Sequence, residues 1–149
     1  MGYIDGEKLI AARIEEATGF NANNVRRGAW GVLNSGNSDH YAILRSGGSV
    51  RNQETFTTKL STHRTVVEIW QRLKDDVPTI DALYANVAIV VDFLDPYRKM
   101  GDTASYIRNA DITSIGEAKE MWTSKGDGPS WLKQEINVDW SEEDNVTYT

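Results

Sequence analysis

The sequence predicts an α+β domain, a small and mainly antiparallel sheet packed on one core helix, and three features lead there. First, Ile80, Leu83, Tyr84, Val87, Val90, Val91 and Leu94 recur at helical spacing in one apolar run. Second, Arg64 to Leu73 alternates, with Val67, Ile69 and Leu73 on one face and Arg64, Val66, Glu68, Trp70 and Arg72 on the other. Third, residues 106–140 read as a long closing hairpin whose second strand sets Leu132, Gln134, Ile136, Val138 and Trp140 against Lys133, Glu135, Asn137 and Asp139. Strand, helix and hairpin in that order suggest a sheet backed by one helix.

The elements follow in chain order. Glu7 to Thr18 is expected to be a helix, with Asp5 placed to cap it, Ile10, Ile14 and Ala17 along its buried face, and Gly19 to stop it. Residues 20–38 lack periodicity and read as a long surface connection. His40 to Arg45 forms a short strand ended by Gly47-Gly48. Residues 46–62 mix β-formers with charged and amide side chains, too little apolar surface for a private core, so they are expected to form an extended flexible arm. Asp75 and Asp76 stand at the positive end of the core helix, where carboxylates are favoured, and Asp95-Pro96 ends it. In the closing hairpin a turn centred on Gly126-Asp127 would set Trp122 opposite Trp131 and Glu120 opposite Lys133. A phase change between Ile112 and Ile115 calls for a bulge near 114–116. Residues 141–149 are acidic and expected to be loose.

At 149 residues the chain has the length of a single domain, 1–149, and nothing in it reads as a linker. Its 22 acidic against 16 basic residues leave a formal charge of −6, which disfavours a surface built to grip nucleic acid but suits a passive channel wall that repels phosphates. With no cysteine there is neither disulfide nor thiolate metal site, in keeping with a reducing cytosol. The first residues lack a signal-peptide pattern. The apolar helix, interrupted by Asp81, Asn86 and Asp92, is expected to fall short of a membrane span.

The residues that carry chemistry elsewhere have plainer readings here. Ser38, Asp39 and His40 are the residue types of a hydrolytic triad, but three consecutive side chains do not converge. His40 and His63, with Asp39 or Glu68, are the ligands a small metal-dependent enzyme would use, though their spacing matches no zinc motif. Asp75, Asp76, Asp92 and Asp95 read as helix-end residues rather than a magnesium site. Gly47-Gly48-Ser49 lacks the lysine of a phosphate loop. Arg26, Arg27, Arg45 and Arg51, with Trp30 nearby, suit either a phosphate backbone or a protein interface, and the acidic total favours the interface. No catalytic residue, metal ligand or cofactor is expected.

The order of elements carries a resemblance. An N-terminal helix, a strand with a long arm, Thr65-Val66-Val67-Glu68-Ile69-Trp70, the helix 80–94, and a hairpin ending Ile136-Asn137-Val138-Asp139-Trp140-Ser141-Glu142 resemble the tail-terminator (tail-completion) proteins of long-tailed bacteriophages. The resemblance spans Glu7 to Glu142 and rests on element order, size and the aromatic, acidic finish. It implies a structural virion protein of the tail or neck, made in the cytoplasm of a bacterial host. Such a protein is no enzyme; it forms a homo-oligomeric ring, sixfold in the family's manner. That ring caps the tail tube protein and joins it to the head connector or neck protein, with DNA only passing through and no membrane involved. The contact residues it implies are Arg26, Arg27, Trp30 and Arg51, the arm around Phe56 and Leu60, and Asp139 and Glu142 with the acidic residues after them. The arm is the leading candidate, since polar strand-formers gain order by adding to a neighbour's sheet edge.

Overall fold

The structure of the chain, a computed structural model, describes residues 3–28, 30, 31, 33, 37–53, 58–95, 107–121 and 131–145. Helix α1 (Tyr3–Glu15) precedes strands β1 (Val25–Arg27), β2 (His40–Gln53) and β3 (Thr58–Arg72); helix α2 (Asp76–Leu94) then leads to β4 (Ile107–Ile115), β5 (Lys119–Met121) and β6 (Trp131–Asn145). The strands form one sheet in the order β1-β2-β3-β6-β4, with β5 also on β6. Only the β1–β2 pair is parallel. This is the α+β arrangement the alternation and the helical run predict.

Both faces of the sheet are covered near its helix-bearing end. Ala42, Leu44, Val67, Ile69, Ile136, Val138 and Trp140 point towards the helices and meet Ile10, Ile14, Leu83, Val87, Val90 and Leu94. On the opposite face Leu33, Tyr41, Ile43, Trp70 and Trp131 form a smaller cluster edged by Met121. The sequence assigned that second face a mixed character; Leu33, from the supposed surface connection, helps close it. Val77–Leu94 has the length and mean hydropathy (1.5) to cross a membrane, contrary to the expectation, yet Leu83, Val87, Val90 and Leu94 pack it onto the sheet and α1 as a core helix does.

Several boundaries differ for identifiable reasons. Helix α1 begins at Tyr3, so Asp5 falls within it rather than at its start; tight bonds from Glu16 N to Arg13 O and Ala17 N to Ile14 O wind the helix up before Gly19, whose φ is +84°. Residues 20–38 include β1, because Phe20 and Val25 bury against the main core and Ala42 N bonds Asn24 O. Asp75 is at the α2 N-cap but makes no side-chain cap bond; Thr79 Oγ1 instead accepts from the backbone N–H groups of Lys74 and Asp75.

The largest corrections concern the arm and the tail. Strand β2 does not end at Gly47-Gly48: the two glycines form a bulge between Ser46 and Ser49, and pairing with β3 resumes to Gln53↔Lys59. The arm is therefore a β-hairpin continuous with the sheet through its described residues, because the chain's own β3 completes its hydrogen bonds. The tail is strand as far as Asn145, pairing with Thr58. In the closing hairpin, Met121 faces Trp131 and Glu120 faces Leu132, one residue from the expected register; Trp122 lies outside the described residues. The bulge falls between Ile112 and Ser114, just before the expected place, and a second lies between Ile107 and Asn109.

Candidate functional site

Two polar constellations stand out. The first lies at the centre of the face opposite the helices, around Glu68, which β3 presents between Val66 and Trp70. Its carboxylate is 3% exposed and is held by Arg45 Nε at 2.7 Å, Trp30 Nε1 at 2.7 Å and Trp70 Nε1 at 3.2 Å. Lys133 Nζ stands 3.9 Å away and bridges to Glu135 at 3.2 Å, while Arg45 also reaches Glu135 at 3.0 Å. Two carboxylates and two cations thus neutralise one another, and the hydrogen bonds that Arg45 donates to Glu68 and Glu135 keep its guanidinium firmly charged against its partial burial. Trp30 remains 42% exposed above this network, fixed by the bond from its indole. A half-exposed tryptophan anchored on a buried carboxylate is rigid interface material.

Two carboxyls, Glu135 and Asp39, have pKa values shifted downward. Burial pushes Glu135 up, but its bonds to Lys133 and Arg45 outweigh that and bring it below its ordinary value of 4.5. Asp39 falls below 3.8 chiefly through its hydrogen bond to Lys74. A carboxyl depressed in the folded state contributes stability that is complete above its unfolded pKa and is lost as pH falls through the folded one. Urea unfolding at pH 7 and at pH 3 should therefore show a loss at pH 3 that shrinks in Glu135→Gln; an unchanged pH dependence would contradict these pairings.

The second constellation is in the outer half of the sheet, where neither core cluster draws a described residue from positions 45–66. On the helix-bearing side Ser49 Oγ lies 2.5 Å from His63 Nδ1, and His63 Nε2 lies 2.9 Å from Glu142 Oε1. His63 also packs against the Trp140 ring at 4.4 Å. With Glu142 ionised, the pattern assigns the ring proton to Nε2 and lets Nδ1 accept from Ser49. The polarity is that of a hydrolytic relay, but the surroundings are not. The adjoining notch, about 400 Å³, is lined by Ser49 and His63 as well as by Gly47, Gly48, Val50, Thr62, Arg64 and Asp139, and of these Val50, Thr62 and Arg64 alternate with Ser49 and His63 along the strands. The Gly48 N–H nearby is taken up by Ser46 Oγ. The three side chains act as a clasp across β2, β3 and β6.

On the notch side Arg64 and Asp139 face each other across β3 and β6 in a two-pronged ion pair of 2.8 and 3.1 Å. The Arg64 stem lies flat over Gly47, where a Cβ would meet its Cγ at 2.6 Å, so the glycine is required by close approach. Outside β2, β1 covers only Ala42 to Leu44. Among the described residues no strand pairs with the outer edge of β2 from Arg45 to Gln53, nor with that of β4.

The residues singled out by sequence are spread over these places. Arg26 and Arg27 are on β1, where Arg26 Nε bonds Asn23 O and Arg27 Nε pairs with Glu7 at 2.7 Å. Trp30 sits on the Glu68 network. Arg51, Leu60 and Asp139 share the outer half of the sheet, whereas Glu142, 3% exposed, is turned inward onto His63 rather than outward to a partner. Phe56 lies outside the described residues. Ser38, Asp39 and His40 diverge: Ser38 Oγ donates to His40 O, Asp39 pairs with Lys74, and His40 Nε2 bonds Gly19 O at 2.7 Å. His40, opposite Gln71 at one end of the β2–β3 ladder, and His63, well along it, are roughly 25 Å apart at about 3.3 Å per residue and so share no ligand sphere. Sequence reasoning missed the Glu68 network and the clasp. The signal present was Glu68 inside a β-branched and aromatic run, a charge on a strand with apolar neighbours on both sides.

No protein-family profile matches the chain, and no curated protein matches it.

Proposed function

We propose that the chain is a ring-forming subunit of the tail-terminator type, a structural virion protein that closes a phage tail tube and joins it to the head connector. The single observation carrying this reading is the form of the sheet: β2 from Arg45 outward and β3 up to Val66 contribute no described member to either core cluster, and two unlike edges, β2 from Arg45 to Gln53 and β4, are covered by no described strand. Open edges are sites of strand addition. Two unlike edges on one subunit give a head-to-tail contact, which closes into a ring when each copy turns by the right angle.

Strand direction supports the same arrangement. From β2 through β3 and β6 to β4 every pair is antiparallel, so β2 and β4 run in opposite senses. When copies are related by rotation about an axis along the strands, β2 of one meets β4 of the next antiparallel, and the alternation continues across the junction. The acidic balance and the Trp30 anchor suit, respectively, a passage for DNA and a surface for a neck or tail partner.

Electron microscopy and native mass measurement of the purified chain, alone and with tail tubes, test the reading. Rings or tube-end caps are the expected result; a chain that stays monomeric in both settings removes it. Deleting residues 49–59 should abolish assembly while leaving cooperative unfolding in place, because no described member of either core cluster lies there. Assembly that survives the deletion would take the outer β2 edge out of the interface.

A further inference from the structure

Independently of the ring reading, we propose that Ser49 is an activated nucleophile, a site at which the folded chain takes a small acyl group from an activated ester or thioester and retains it. A serine hydroxyl is a weak nucleophile until a base stands ready to take its proton and a third group holds that base in place. Three strands bring such a set together here. Ser49 on β2 lies opposite His63 on β3, and His63 lies opposite Trp140 on β6, so the three share one rung. Ser49 Oγ is 2.5 Å from His63 Nδ1, and His63 Nε2 is 2.9 Å from Glu142 Oε1. The Trp140 ring, centred 4.4 Å away, backs the imidazole.

Exposure is divided as a reactive serine requires. His63 is 8% exposed and Glu142 is buried as well, whereas Ser49 is exposed, lines the notch and stands on a stretch of β2 whose outer edge no described strand covers. The hydroxyl is open to a reagent while its base is kept from water. Glu142 Oε2 is buried and has no hydrogen-bond partner among the described residues. A carboxylate left so bare is drawn to a positive ring beside it, and it stabilises the imidazolium that forms when His63 takes the proton.

The surroundings decide how far the chemistry runs. Ser49 Oγ attacks the acyl carbon as its proton passes to His63 Nδ1. The bond from Oγ to the acyl carbon forms, the bond from that carbon to the leaving oxygen or sulfur breaks, the leaving group departs as an anion, and His63 gives its proton to water. The Gly48 N–H at the bulge is already donated to Ser46 Oγ, so it is not offered to the oxyanion. Only a donor with a good leaving group therefore reacts. The product is an alkyl ester of serine, whose own leaving group is poor, so water removes the acyl group more slowly than it arrives.

The probe is p-nitrophenyl acetate. The folded wild-type chain should release p-nitrophenolate and carry an acetyl group on Ser49, located by peptide mass mapping. Ser46, also exposed but with its hydroxyl turned to the Gly48 N–H, is the internal control, and Ser49 should be labelled about a hundredfold faster, the factor a positioned general base supplies. The reaction should be slower in heavy water than in light, because a proton moves as the bond forms. In urea the preference for Ser49 should vanish. His63→Ala should bring Ser49 down to the rate of Ser46. Glu142→Gln, which keeps an oxygen for His63 Nε2 and removes the charge, should slow Ser49 about tenfold or more. Equal labelling of Ser49 and Ser46 in the folded wild-type chain overturns the proposal. So does a preference that survives either substitution in a chain that still unfolds cooperatively, since exposure alone would then account for it.

Discussion

Trp140→Ala should cost about 3–5 kcal/mol of folding stability, read as a lower midpoint in urea unfolding, the range for removing a large aromatic from a closed core. The side chain is 1% exposed, donates from its indole to Thr65 Oγ1 at 3.1 Å, and stacks on His63. It also touches α1 with no slack: a Cβ at Gly6 would stand 2.3 Å from two atoms of the indole. One side chain thus ties the first helix to the sheet and backs the histidine of the Ser49–His63–Glu142 clasp. The cavity left by alanine is bounded by a helix and a sheet, neither of which collapses easily. The same contact predicts the reverse experiment, in which Gly6→Ala forces the ring aside and destabilises through overpacking. A loss under 1 kcal/mol in both variants would show that α1 is not seated on Trp140.

The second large effect is expected at Glu68. Glu68→Ala should lower stability by about 3–5 kcal/mol at pH 7, the scale for removing one partner of a buried ionic network. Arg45 and Lys133 would keep Glu135 between them, but one anion would then face two cations, and the buried indole N–H of Trp70 would lose its acceptor. Glu68→Gln should cost less than alanine, because an amide oxygen still accepts from one indole. Trp30 would be released from its fixed position in the alanine variant, which tryptophan emission or quenching reads independently of stability. If alanine and glutamine cost the same small amount, the charges around Glu68 are not coupled.

Some of this architecture was legible in the chain. The helix over 80–94, the buried face of α1 and the alternation of β6 follow from apolar spacing, since each presents a face that only a packed layer satisfies. The strand pairing of the arm was not legible because local composition records how little apolar surface it has, whereas its described hydrogen bonds run to β3 across a bulge. The candidate site was legible only in part: Trp30, Arg51, Leu60 and Asp139 were singled out, but no local pattern tells that Asp139 meets Arg64 or that Glu142 turns in to His63.

By itself the sequence determined the two helices, the alternating strands around Val67 and Ile136, many of the side chains that seek the core, and that neither disulfides nor thiolate sites take part, because periodicity and composition are local properties. Only the tertiary structure decided the strand order, the pairing registers, the bulge that opens a notch beside Arg64, and the burial of Glu68. Those depend on contacts between residues far apart in the chain, where one step of register moves every side chain to the other face of the sheet.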